Sequence, residues 1–81
     1  MFNNRTEDGR NNIIGVKVGT LRKGLHLSQR QLAEKLNELG LVIDKNAIQR
    51  IESGQRFVTD IELGFFAKVF DTTIMDLLKR D

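Results

Sequence analysis

The stretch Asp44–Gly54, DKNAIQRIESG, sorts its residues by side. Placed at about 100° per residue, Lys45, Gln49, Ser53, Asn46 and Arg50 span an arc of roughly 140°. Ala47, Ile48 and Ile51 fall opposite them. The aliphatic side needs a core to pack against. The polar side carries amides and cations, the groups that hydrogen-bond base edges and phosphates. Many helices carry such a face merely as solvated surface, so the rest of the chain has to decide between the two readings.

Helix punctuation surrounds this stretch. Ile14, Val18, Leu21 and Leu25 follow a helical spacing and predict a first helix ending near Gly24 or Leu25. Gly15 and Gly19 lower its intrinsic propensity, so packing has to hold it. Ser28 is an N-cap with Gln31 completing a capping box, and Leu27 with Leu32 forms a hydrophobic staple. That second helix runs through Leu36 to Leu39, and Gly40 suits its end. Asp44 caps the third helix, with Ile43 and Ile48 as staple and Gly54 as stop. Thr59 caps a fourth, boxed by Glu62 and stapled by Val58 and Leu63, running to about Phe70. Thr73 opens a short fifth through Leu78. No proline, repeat or β alternation interrupts this order, so an all-α domain over residues 13–81 is expected. Residues 1–12, MFNNRTEDGRNN, show no apolar period and are expected to form a flexible N-terminal arm.

Composition narrows the class. The chain has 81 residues, the size of one small domain. It contains no cysteine, which removes disulfides and thiolate metal sites and fits a reducing cytoplasm. No apolar run approaches the ~18 residues of a membrane span. The net charge is +2, unevenly placed: residues 1–59 carry +4 and residues 60–81 carry −2. The basic part holds the helix quoted above, as an anionic partner would favour. The single histidine, His26, stands where a helix ends and reads as a structural cap. Asp71 and Asp76 flank a helix start and read as caps or surface charges. With no catalytic cluster and no Gly-rich phosphate loop, neither an enzyme nor a cofactor or metal site is expected.

Leu-Ser-Gln at the head of LSQRQLAEKL (27–36), AIQRIESG (47–54) and VTDIEL (58–63) together resemble the phage repressor/Cro-type, or Xre, family of helix-turn-helix domains. The resemblance covers residues 13–78 and implies a five-helix repressor-like fold. Leu36 and Ile48 stand further apart than in most members, so an elongated helix 2 to helix 3 connection is expected. In it Asn37, Glu38 and Leu39 extend helix two, and Leu41, Val42 and Ile43 pack the turn.

The resemblance further implies that helix three enters the major groove of double-stranded DNA while helix two crosses the backbone. Lys45, Asn46 and Gln49 are then placed for base edges, since Asn and Gln pair with adenine and Lys donates to guanine. Arg50 lies further round, for base or phosphate. Gln29, at the positive end of helix two, together with Ser53, Gln55 and Arg56, is expected on phosphates. Arg22 and Glu52 occupy positions where the family commonly places an ion pair between helices one and three. On helix four, Leu63, Phe66, Ala67 and Phe70 make a core face. Ile61 and Phe65 lie nearly opposite, and with Met75 they form an apolar patch that either the arm or a partner covers. The expected partner is a second copy, in a twofold homodimer reading two half-sites about one helical turn apart. The implied function is a sequence-specific transcriptional regulator acting as a repressor. The alternatives are an antitoxin with a toxin partner, or a protein-interaction module on the same fold. The chain as read carries no ligand-sensing segment, so concentration, a partner or proteolysis is expected to regulate it.

Overall fold

In a computed structural model, which describes residue 6 and residues 9–79, the chain forms five helices. They are α1 (Gly15–Gly24), α2 (Gln29–Leu39), α3 (Lys45–Glu52), α4 (Asp60–Val69) and α5 (Ile74–Leu78). No strand occurs among the described residues. Each predicted cap is made. Ser28 accepts from the Gln31 amide and Thr59 from the Glu62 amide, both as complete capping boxes. Asp44 accepts from the Ala47 amide and Thr73 from the Asp76 amide.

The first four helices also end alike. At each C-terminus one residue turns left-handed, and the amide after it reaches back five residues: Leu27 to Arg22, Leu41 to Leu36, Gln55 to Arg50 and Thr72 to Ala67. This is the Schellman pattern, which satisfies carbonyls that a helix end would otherwise leave bare. Gly40 and Gly54 fill the left-handed position on α2 and α3, but His26 (φ 58°) and Asp71 (φ 53°) fill it on α1 and α4. His26 is exposed and thus serves as the cap its position suggested.

Ile14, Val18, Leu32, Leu36, Ile48, Ile51, Phe66 and Leu77 are fully buried and bring all five helices to one core. Phe66 and Phe70 stack with ring centroids 6.4 Å apart. In the elongated connection, Asn37 donates from Nδ2 to the Ile43 carbonyl at 2.8 Å, tying α2 to the approach of α3. Ile43 is buried and Leu41 half-buried, as expected of a packed turn. Val42 is not part of that packing: its side chain points to solvent, 92 % exposed. Leu25 is likewise exposed, because the chain has already left the helical path at Gly24.

The apolar patch divides. Ile61 and Met75 are 70 % and 80 % exposed. Phe65 turns inward, packed beside the core with its ring against Gly40 where a Cβ would sit 3.8 Å from it. It belongs to the α2–α4 seam more than to the surface. The expected arm divides as well. Residues 1–5, 7 and 8 lie outside the described residues, whereas Arg10, Asn11 and Asn12 are fastened to the end of α3. They do so through polar side chains, which a search for apolar periodicity does not register.

Candidate nucleic-acid interface

The helix α3 is two turns long and is held from behind. Ile48 and Ile51 drop into the core, and the outer face carries Lys45, Asn46, Gln49, Arg50 and Ser53, all exposed. The side chains of Lys45, Asn46, Gln49 and Arg50 make no hydrogen bond or ion pair among the described residues. Ser53 Oγ donates to the Arg50 carbonyl at 3.2 Å. Four polar side chains therefore stand in solvent with their bonding capacity unused, on the arc the sequence places them on.

Behind and below this ridge, the polar groups are engaged. Arg22 Nε meets Glu52 Oε2 at 2.7 Å and its Nη2 meets Oε1 at 3.0 Å, joining α1 to α3. The third guanidinium nitrogen donates to the Leu27 carbonyl at 2.8 Å, so the same side chain also fixes the α1–α2 turn. Both partners are nearly withdrawn from water, at 12 % and 13 % side-chain exposure. The Glu52 hydrogen bond holds the Arg22 pKa above its ordinary value, against an opposing effect of burial. Gly19 makes room for this pair, since a Cβ there would lie 3.3 Å from Glu52 Oε1.

Gln29 joins the network. Its Nε2 donates to Glu52 Oε1 at 3.2 Å, so the amide serves the ion pair, and its phosphate reading rests on the free N–H groups at the start of α2. Arg56 also has a partner within the chain. Its guanidinium grips the Glu62 carboxylate through two bonds of 3.0 and 2.8 Å and donates to the Phe57 carbonyl. Expected on phosphate, it ties the turn after α3 to the first turn of α4 while its side chain stays one-third exposed. The Arg56 hydrogen bonds hold the Glu62 carboxyl below the usual carboxylate range, outweighing burial. Gln55 is exposed, and its carbonyl accepts from Asn11. Arg30, a cation the sequence reading left without a role, is exposed at the start of α2 and lines a shallow groove with Lys45.

Three further residues complete the frame, and the sequence reading assigns none of them that role. Asn12 is buried between α1 and α3. Arg10 lies across the end of α3, donating from Nη2 to the Glu52 carbonyl at 2.6 Å. Gly15 faces the Ile51 carbonyl so closely that any Cβ would collide with it. One signal was available: Gly15 and Gly19, four apart, lie on one helix face and permit another backbone to approach.

A concavity of about 590 Å³ between α1 and α5 lies away from the ridge. Lys17, which lines it, is engaged in closing α5: its Nζ donates to the Asp76 and Lys79 carbonyls at 2.8 and 2.9 Å. Among the described residues no three His, Asp or Glu side chains gather as a metal site would need. No helix among them is long and apolar enough to cross a membrane.

A capped helix thus carries a polar ridge that makes no side-chain bond to the rest of the described residues apart from Ser53, beside a second helix across a shallow groove. The family model for helix-turn-helix domains matches residues 18–77, which spans α2, α3, α4 and most of α1 and α5. No curated protein and no solved structure matches the chain. The chain belongs to the phage repressor/Cro-type helix-turn-helix family, a family of DNA-binding transcription regulators.

Proposed function

We propose that this chain is a sequence-specific double-stranded DNA-binding regulator that inserts α3 into the major groove and represses by occupying its site. The observation that carries this reading is the contrast on α3: four exposed polar side chains without a hydrogen-bond partner among the described residues, on a helix whose Glu52 is engaged. Lys45, Asn46 and Gln49 read base edges, and Arg50 serves base or phosphate. Ser53, the Gln55 region and the amide end of α2 at Gln29 lie along the backbone, with Arg30 as an additional cation. Exposed Ile61 and Met75, flanked by half-exposed Ile74 and Leu78, support a homodimer through α4 and α5.

The exposed apolar residues also favour a second reading, in which the domain docks on a protein, a toxin included. Salt separates the two. If α3 reads DNA, affinity for duplex falls steeply with salt, because each neutralised phosphate releases counterions. Binding by an apolar docking surface barely responds to salt. A titration between low and physiological salt, with random and selected duplexes, decides between them. A flat response contradicts the DNA reading.

A further inference from the structure

The family match begins at residue 18, so Arg10, Asn11 and Asn12 lie outside it. Yet this strap makes a series of bonds to the last turn of α3 and the turn that follows. Asn12 Nδ2 donates to the Ile51 carbonyl at 2.9 Å and to the Arg56 carbonyl at 2.8 Å. Its Oδ1 accepts from the Gly15 amide at 2.8 Å, capping the start of α1. Asn12 is buried, and its donor and acceptor groups are both used. Arg10 Nη2 covers the Glu52 carbonyl and touches that of Ile51. The Asn11 amide donates to the Gly54 carbonyl at 2.7 Å and its side chain to the Gln55 carbonyl at 3.0 Å. The strap fits only because Gly54 lacks a side chain, since a Cβ there would lie 2.8 Å from Arg10 Cζ.

We propose that Arg10 and Asn12 are positioning residues of the recognition helix, setting the angle at which α3 offers its outer face. The inference rests on the DNA reading above. Ile48 and Ile51 press α3 onto the core but are non-directional anchors on one side of a two-turn helix. Direction comes from the polar groups at its ends. Asn37, bonded to the Ile43 carbonyl, provides one on the approach to its N-terminus, and Arg22–Glu52 with the strap provide the others at the C-terminus. Base readout needs donors held within a fraction of an ångström, so slack at one end degrades recognition before it degrades folding.

Two charge-neutral variants of the full chain test this. Asn12→Ser keeps an N-cap acceptor for α1 but loses both donors to α3. Arg10→Lys keeps the charge and loses the planar fork. Affinities are measured for a selected duplex and a scrambled one, with circular dichroism as the control for folding. The expected result is a loss of roughly tenfold or more on the selected duplex, and a change under about twofold on the scrambled one. Hydrogen exchange at Gly54, Gln55 and Arg56 is expected to quicken. Equal weakening on both duplexes means a smaller folded fraction and overturns positioning, as does no change on either. If the wild type binds no duplex at all, the DNA reading fails first. Exchange then decides the clamp alone, and unchanged protection in Asn12→Ser overturns it.

Discussion

The two sides of α3 are built by opposite rules. Outward, the side chains of Lys45, Asn46, Gln49 and Arg50 make no hydrogen bond or ion pair among the described residues. Inward and at its end, Arg22, Glu52, Gln29, Arg10 and Asn12 form bonds to side chains and carbonyls of α1, α3 and the turns between. The same residue types appear on both sides, so composition does not distinguish them. What differs is whether a side chain's donors already have an acceptor. A binding face needs unused capacity and a scaffold little left over; the buried Arg10 Nε is an exception, with no hydrogen-bond partner among the described residues.

The largest break in this comparison comes from a single methyl group. Gly15→Ala places a Cβ against the Ile51 carbonyl, a backbone atom unable to move aside without dragging the end of α3. A loss of about 3 kcal/mol in urea unfolding is expected, much of the stability of so small a domain. Unchanged stability would show that α1 and α3 are not in the contact described.

A smaller effect sharpens the inner side. Arg22→Met leaves Glu52 nearly buried without its partner and is expected to cost about 2 kcal/mol. Arg22→Met combined with Glu52→Leu recovers most of that loss, because the pair offsets its own desolvation. If the double variant is as unstable as the sum of the singles, the two residues do not interact.

The smallest expected change is a gain. His26 holds a left-handed backbone that a side chain disfavours, and it is exposed. His26→Gly is expected to raise stability by about 0.5–1 kcal/mol, or roughly 2–8 °C in melting temperature. His26→Ala should give no such gain. Neither alters DNA affinity, because His26 lies on the turn after α1.

Local chemistry was the most readable part of this chain. Capping residues Ser28, Asp44, Thr59 and Thr73 act within three residues of themselves, so their effect is visible in a linear text. The outer arc of α3 follows from helical geometry alone. Partnerships between distant residues were harder. Arg56 looked like a free cation after a turn because Glu62 could be read only as a capping-box residue, although its carboxylate does both. Phe65 sits on the face away from Phe66, but the elongated connection brings Gly40 beneath its ring. Asn12 and Arg10 were hidden by the absence of apolar periodicity, since they bind through carbonyls some forty residues away.

The central claim is that the outer face of α3 reads bases while the rest of α3 only carries it. Selection of duplexes from a random pool by the wild type, Asn46→Ala and Gln49→Ala tests it most directly, with melting temperature followed alongside. The account predicts that each alanine variant melts within ~0.5 kcal/mol of wild type and loses preference at its own base pair, by about 1–3 kcal/mol. Identical selected sites from all three proteins would contradict it.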